Sequence, residues 1–258
     1  MIENDNTKAP RAASHSFEPG HLNARVLAMF PFLNEAPKLK AMAPRLRTGL
    51  VETFIGFDNG STDGGASILQ SYGISVISQP ERGVGACIRS AIRHARENGY
   101  DVLVVMAGND KDNPEEIPML LAPILTGKAD YVQGSRFLEG GASVNLPFFR
   151  WFAIKLLSIL FNVYSRGRCT DLTNGFRAYR IDLFDDPRFD INQSWLNTYE
   201  FEYYVHFKVN KYGYRLVEVP VTKTYPGTPG IAYTKIRPFT GWWKMIRPFI
   251  FLALGLKK

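Results

Sequence analysis

The sequence is poor in the residues that build disulfide frameworks or zinc sites. Two cysteines, Cys87 and Cys169, occur in 258 residues, and the four histidines are scattered along the chain. Two distant cysteines do not provide a disulfide framework, and the cysteine and histidine spacing does not suit zinc. We therefore expect a protein of a reducing, cytoplasmic compartment.

Long hydrophobic runs are also missing. The longest apolar segments, residues 156–164 and 248–256, have about half of the roughly 20 residues that a membrane-spanning helix needs. Residues 1–24 are polar and lack the apolar stretch of a signal peptide, so we expect a flexible tail there. The sequence thus predicts a protein that does not cross a membrane by itself.

Acidic residues are fewer than basic ones. Asp and Glu number 24 against 31 Lys and Arg, which gives a formal net charge of +7. This balance favours an anionic partner, such as a phosphorylated substrate or a membrane surface. Nucleic acid is the other anionic partner, but the sequence carries no recognition motif for it, so we predict no nucleic-acid binding. The hydrophobic content of 45% suffices for one large α/β domain.

Short apolar runs alternate with helix-like segments in the first half of the chain. Strands are predicted at residues 26–30, 53–57, 74–78, 101–106 and 129–134, with helices at 64–72 and 84–98. This alternation predicts an α/β fold with a Rossmann-like, mostly parallel central sheet and helices on both faces. Ligands of such sheets bind at the carboxyl ends of the strands.

The second half of the chain differs in composition. Residues 148–164 are apolar nearly all round, residues 196–211 form a predicted aromatic helix, and residues 215–221 form a late strand. A Gly/Pro-rich loop at 225–230 precedes a basic and aromatic segment, residues 231–258. We expect this last segment to be distinct from the main domain, residues 25–230.

Five motifs carry a family resemblance, and four of them lie at or near the ends of predicted strands. They read FPFLNE at 30–35, FDNGSTDG at 57–64, ERGVGA at 81–86, GSR at 134–136 and DLTNGFRAYR at 171–180. Their joint order and spacing resemble glycosyltransferase family 2, and within it the branch of dolichyl- and polyprenyl-phosphate sugar synthases. The resemblance implies a GT-A fold.

The resemblance also implies an activity and a donor site. It implies transfer of a sugar, with inversion, from a nucleotide-diphosphate sugar to a polyprenyl phosphate, another lipid-linked acceptor or a glycan. Strand-end carboxylates and carbonyls suit a base and ribose, and an arginine beside glycines at a helix start suits a diphosphate. The residues expected to bind the nucleotide sugar are Pro31, Phe32, Asn34, Glu35, Asp58, Asn59, Arg82, Gly83, Gly85, Ala107, Gly108, Asn109, Lys111, Arg136 and Arg177.

The metal motif of the family is altered in this chain. Relatives carry D-x-D after the fourth strand, where this chain has Ala107 and Asn109. Three interpretations stay open. A divalent cation, Mg²⁺ or Mn²⁺, binds a rearranged set of oxygen ligands, namely Asn109, Asp110 and Asp112. Alternatively, Lys111 neutralises the diphosphate, or the chain is a non-catalytic sugar-nucleotide-binding or scaffold homologue.

Three carboxylates are candidate catalytic residues on the acceptor side: Asp171, Glu200 and Glu202. A sugar hydroxyl needs a base to remove its proton, whereas a phosphate acceptor is already anionic and needs none. For the two glutamates the alternative is a solvated helix start, which the helix dipole favours. Arg177 and Arg180 fit a phosphate clamp, with a surface position as the alternative for Arg180.

Two segments, residues 148–166 and 241–258, combine aromatic and aliphatic residues with Lys and Arg. This mixture is typical of helices that lie in the bilayer interface, where basic residues attract anionic headgroups or a polyprenyl phosphate. The alternative is a buried helix pair that closes the domain, or a dimer contact. We expect a cytoplasmic protein attached peripherally to the cytoplasmic membrane, with homo-oligomerisation left open.

Overall fold

A computed structural model describes most of the chain. The described residues are 24–47, 49–165, 167–226 and 240–257. The predicted N-terminal tail therefore lies outside the described residues except for Ala24, and so does most of the predicted loop at 225–230.

A seven-stranded sheet forms the centre of the protein. Its strands, in spatial order, are β3 (Ser75–Ser78), β2 (Thr53–Asp58), β1 (Val26–Phe32), β4 (Val102–Val105), β7 (Arg177–Arg180), β5 (Tyr131–Ser135) and β8 (Leu216–Pro220). Two further strands, β6 (Ala142–Val144) and β9 (Thr222–Thr224), pair in parallel outside it. The pairs β1–β2, β1–β4, β2–β3 and β5–β8 are parallel, so the predicted mostly parallel sheet is confirmed.

Helices cover both faces of the sheet, as predicted. On one face lie α1 (Ala36–Met42), α2 (Gly65–Ser71) and α4 (Ile117–Leu125), and on the other lie α3 (Val84–Glu97), α5 (Phe148–Ser165) and α6 (Glu200–Lys211). Alternate residues of β1 serve the two cores, since Ala28 and Phe30 face the first group and Leu27 and Met29 the second. Short 3₁₀ turns occupy Ala43–Arg45, Pro114–Glu116, Ile181–Asp185 and Ser194–Leu196.

The last described helix, α7 (Thr240–Ala253), packs on α6. Leu252 is buried in the core of that face, and the Phe251 ring lies 5.9 Å from the Trp195 ring. The sequence left open a pairing of this segment with residues 148–164. The structure places it against α6 instead.

Within the seven-stranded sheet, β7 is the strand that the sequence pattern did not predict. It runs antiparallel between β4 and β5, and all four of its residues, RAYR, are buried. Two arginines in four residues do not look like a central strand. Arg177 is nevertheless accommodated because its guanidinium donates to the carbonyl oxygens of Asn174, Leu172 and Glu202 at 2.8–2.9 Å.

Candidate active site

The carboxyl ends of β1, β2, β4 and β5 lie at one edge of the sheet. Because β7 runs in the opposite direction, the residues that precede it reach the same edge. The predicted motifs are therefore brought together there. At the end of β2, Asp58 Oδ1 accepts hydrogen bonds from the backbone N–H of Gly60 at 3.2 Å and of Ser61 at 2.8 Å. The exposed Arg82 lies beside this turn, close to Gly60.

Asn34 connects the loops that follow β1 and β2. Its backbone has a positive φ of 51°, a conformation that asparagine tolerates better than most residues. Its Oδ1 accepts from the Thr62 N–H at 2.8 Å, and its own N–H donates to Ser61 Oγ at 3.0 Å. Nearby, the Asp63 carboxylate accepts from the first backbone N–H of two helices, Ala36 N of α1 at 2.7 Å and Gly65 N of α2 at 3.0 Å. These contacts give the edge a defined shape.

Asn59 shapes a loop instead of facing a ligand. Its side chain is buried, and Nδ2 donates to the carbonyl oxygens of Gln79 at 3.3 Å and Glu81 at 3.0 Å. Its Oδ1 accepts from Gly83 N at 2.7 Å. Asn59 was predicted to contact the nucleotide. In the structure both its amide donor and its amide acceptor are used inside the protein.

Replacing Asn59 by Asp is therefore expected to destabilise the protein by about 1–3 kcal/mol, because a carboxylate would face two carbonyl oxygens without a proton to donate. Chemical denaturation followed by circular dichroism measures this change. Asn192→Asp, at an exposed position, is the matched control and should leave the free energy of unfolding nearly unchanged. Equal stability of both variants would contradict the role given to Asn59.

The glycines at 83 and 85 make room for another part of the chain. A Cβ atom on Gly83 would lie 2.1 Å from the Asn197 oxygen, and one on Gly85 would lie 2.0 Å from the Leu196 oxygen. The Asn197 oxygen also accepts from Ala86 N at 3.0 Å, so this backbone covers the start of α3. We expected these glycines to cradle a diphosphate. The structure instead gives them a packing role.

The loop at 107–112 lies against the end of β1. A Cβ atom on Gly108 would lie 2.6 Å from the Pro31 oxygen and 3.0 Å from Phe32 Cβ, so only glycine permits this approach. Pro31, Phe32 and the altered metal loop are therefore neighbours. Within the described residues, the buried Oδ1 of Asn109 accepts no hydrogen bond.

The predicted metal ligands are not assembled. Asp110, at a φ of 58°, forms an ion pair with Arg45, while burial raises the pKa of its carboxyl. Asp112 is fully buried, and its two oxygens accept from Lys223 Nζ at 2.5 Å and from Ala107 N at 2.8 Å. Each carboxylate thus has a cation of its own. No group of three or more His, Cys, Asp or Glu side chains within the described ranges is arranged to hold a metal ion, so these residues do not fit one.

Basic side chains gather around Tyr225 at this edge. Lys111 Nζ lies 5.5 Å from the centre of the tyrosine ring, Arg150 Cζ lies 5.6 Å from it, and Arg136 Nη1 donates to the tyrosine hydroxyl. Arg150 Nη1 is buried and has no acceptor in the described part of the chain. We call Lys111, Arg150 and Tyr225, together with Lys38, the basic cluster.

Burial lowers the pKa of the Lys111 ammonium to about 8. Neighbouring positive charges contribute to this shift, and they belong to Lys223, Lys38 and Arg150. Glu35 opposes it but is itself paired with Lys38, at 2.5 Å. Burial also lowers the pKa of Arg150. Partly buried positive charges that crowd one another favour binding of an anion here.

The candidate catalytic residue Asp171 is engaged in a buried ion pair. Its carboxylate has no exposed surface, and it accepts from Arg136 at Nε (2.6 Å), Nη2 (2.5 Å) and the backbone N (3.1 Å). Both oxygens are therefore occupied. Asp171 and Arg136 therefore form a buried ion pair with a structural role.

The two glutamates at the start of α6 differ in exposure. The Glu200 side chain is fully buried and forms an ion pair with Arg247 of α7 and a hydrogen bond with Thr198. The Glu202 side chain is 12% exposed and lies 3.6 Å from Arg177 Nε. Of the three carboxylates proposed as catalytic, Glu202 is the one that retains contact with solvent.

Comparison with known proteins agrees with this architecture. The model of the family described as "Glycosyl transferase family 2" matches residues 29–186. The chain belongs to that family. Undecaprenyl-phosphate mannosyltransferase of Micrococcus luteus is 34% identical over 209 residues, which cover 77% of this chain and 83% of that protein. Polyprenol monophosphomannose synthase of Mycolicibacterium smegmatis is 29% identical over 215 residues, covering 78% and 77%.

A solved structure confirms the fold of this glycosyltransferase. Glucosyl-3-phosphoglycerate synthase from Mycobacterium tuberculosis, in complex with Mn²⁺, UDP and glucosyl-3-phosphoglycerate, superposes with a TM-score of 0.65 at 18% identity. The match covers 92% of this chain and 82% of that chain. The predicted GT-A fold is thereby confirmed. The relatives support a glycosyltransferase and lend nothing to the non-catalytic alternative.

Four residues of this family 2 glycosyltransferase escaped the sequence interpretation: Lys38, Arg150, Lys223 and Tyr225. Arg150 carried a signal, because it is the basic residue inside the aromatic run FFRWF. Lys223 and Tyr225, which follow β8, carried no such signal in the sequence. They reach the 107–112 loop through a long-range backbone pairing of Asp112 with Lys223, which no local pattern shows.

Proposed function

We propose that this glycosyltransferase moves a sugar, with inversion, from a nucleotide-diphosphate sugar to a polyprenyl phosphate at the cytoplasmic membrane surface. The observation that carries the proposal is the position of Arg150. It belongs to the basic cluster at the ligand edge and also to the first turn of α5, whose outward face is apolar. One helix thus links a phosphate-binding group to a lipid-facing surface. Both relatives are named for polyprenyl acceptors.

The outward face of α5 is unusually apolar for a surface helix. Its exposed large side chains are Phe148, Phe149, Trp151, Phe152, Leu156, Ile159, Leu160 and Val163. By length and composition, α5 could also span a membrane, which the sequence interpretation did not foresee. Its inner face is nevertheless attached to the domain, because Asn162 exchanges two hydrogen bonds of 2.8 Å with the Cys169 backbone. This attachment favours a helix that lies in the bilayer interface.

Helix α7 supports the same orientation. Its exposed residues Trp243, Ile246 and Ile250 recur at helical spacing and form one apolar stripe, which the exposed Leu254 extends just past the helix end. Arg247, Phe251 and Leu252 face the domain. Two helices with outward apolar faces and inward anchors suit a peripheral attachment to lipid.

The chemistry of the site fits an anionic acceptor. In the proposed reaction an oxygen of the polyprenyl phosphate attacks the anomeric carbon of the donor sugar. The bond from that carbon to the diphosphate oxygen breaks, and the nucleoside diphosphate leaves with the electron pair. An ionised phosphate needs no general base, which agrees with the burial of Asp171 and Glu200 in ion pairs. The basic cluster would stabilise the charge that develops on the diphosphate leaving group, next to the acceptor phosphate.

Transfer assays with the purified full chain test this function. We expect one of a panel of labelled nucleotide sugars to give a labelled lipid product with undecaprenyl phosphate in detergent. Undecaprenol, which has the same chain but no phosphate, is the control and should give no product. Transfer to undecaprenol, or hydrolysis of the donor with no lipid product, would count against the proposal.

A further inference from the structure

The ammonium group of Lys223 lies beside the altered metal loop. The buried carboxylate of Asp112 bonds both the backbone N–H of Ala107, the first altered D-x-D position, and Lys223 Nζ. Lys223 also donates to Asn174 Oδ1 at 3.1 Å. A carboxylate that is already neutralised inside the protein has little capacity to bind a divalent ion. Because the Asp112–Lys223 pair is neutral as a whole, the positive charge of this loop comes from Lys111.

Further positive charge reaches the same place from two other elements. Lys111 belongs to the altered loop itself, Lys38 comes from α1, and Arg150 comes from α5. Lys111 Nζ and Arg150 Cζ lie 5.5 Å and 5.6 Å from the centre of the same Tyr225 ring. A buried guanidinium donor without an acceptor is costly, and a phosphate oxygen is its natural partner.

We infer that Lys111, Arg150 and Lys38 neutralise the diphosphate of the donor in place of a divalent cation, so that this glycosyltransferase binds its donor without metal. The inference rests on the proposed function and concerns the same site. The donor diphosphate is the favoured anion because Lys111 lies in the very loop that carries the metal in relatives. As the sugar bond breaks, fixed ammonium and guanidinium groups stabilise the charge left on the diphosphate.

Calorimetric titration of the full chain with GDP and UDP measures the affinity for the donor diphosphate with and without a divalent cation. Whichever diphosphate binds is expected to do so with the same affinity in excess EDTA as in excess Mg²⁺ or Mn²⁺. Lys111→Ala and Arg150→Ala should each weaken binding about tenfold in EDTA, the loss expected for one charge-assisted hydrogen bond. Lys111→Arg, which keeps the charge, should retain affinity.

Two controls separate charge compensation from a general effect. Lys40→Ala removes the same charge from an exposed position on α1 and should leave the affinity unchanged. Binding of the parent nucleoside, which has no phosphate, should be equal in wild type, Lys111→Ala and Arg150→Ala. A variant that fails to fold would lose nucleoside binding as well. In that case Lys111→Arg is the test, because it keeps the charge and should retain the diphosphate affinity of wild type in EDTA.

The outcomes distinguish this inference from the proposed function. Diphosphate binding that requires Mg²⁺ or Mn²⁺ would overturn the inference and leave the function intact. Unchanged diphosphate affinity in Lys111→Ala and Arg150→Ala, with a raised KM for undecaprenyl phosphate, would assign the cluster to the acceptor and also overturn it. Absence of diphosphate binding with and without metal would remove both proposals.

Discussion

Replacing Asp171 by Asn is expected to lower the free energy of unfolding by about 3–5 kcal/mol, because the change leaves a buried guanidinium without its counter-charge. The side chains of Arg136 and Asp171 are 2% and 0% exposed. The Asp171 carboxylate receives three hydrogen bonds from Arg136, and asparagine offers one oxygen where two are needed. Since domains are stable by about 5–15 kcal/mol, this loss is large. Urea denaturation followed by circular dichroism measures it.

An exposed ion pair provides the control for this variant. Asp185 pairs with Arg96, and their side chains are 66% and 38% exposed. Asp185→Asn should cost no more than about 1 kcal/mol, because water already solvates both charges. If Asp171→Asn kept wild-type stability but lost transfer activity, Asp171 would be a catalytic residue, as the sequence first indicated, and the structural role would be wrong.

The double variant Phe152→Ser/Ile159→Ser is expected to bind anionic vesicles about 100-fold more weakly than wild type. Each side chain is more than half exposed on the outward face of α5. Burying one large apolar side chain contributes about 1.5–3 kcal/mol, and each 1.4 kcal/mol corresponds to about tenfold in affinity. Co-sedimentation with vesicles of phosphatidylglycerol and phosphatidylcholine, over a range of lipid concentrations, gives the affinity.

A second double variant shows whether the effect belongs to α5. Tyr72→Ser/Met119→Ser removes two exposed apolar side chains at the C-terminal end of α2 and on α4, and should leave vesicle binding unchanged. High salt should weaken binding of wild type through its basic residues. Equal losses in both double variants, or no binding by wild type at low salt, would mean that α5 does not contact lipid.

The fold class and the family were accessible from the sequence alone. Short apolar runs and helical spacing of apolar residues are local properties. In the first half of the chain they predicted five strands of the central sheet. The ordered motifs identified the family through the resemblance of their joint order and spacing, and the sheet then brings them to one edge. Asp58 and Arg82 lie at that edge, where donor binding stays a prediction.

The tertiary structure decided the roles of individual charged and small residues. β7 is buried despite two arginines because three carbonyl oxygens, one of them from Glu202 of α6, receive the donors of Arg177, and Arg180 pairs with Asp130 and Asp182. Gly83 and Gly85 serve packing because the backbone near residue 197 happens to cross them.

Tertiary contacts also explain why the structure has a basic cluster where the sequence predicted a metal site. A local pattern shows that Asp112 and Lys111 are present, but not which partner neutralises each charge. That partner is supplied by chain pairing: Lys223 lies 111 positions away from Asp112 and bonds it inside the protein. The sequence by itself determined what kind of fold and family this is. Long-range contacts determined how Asp112 is neutralised and which cations surround the proposed anion site.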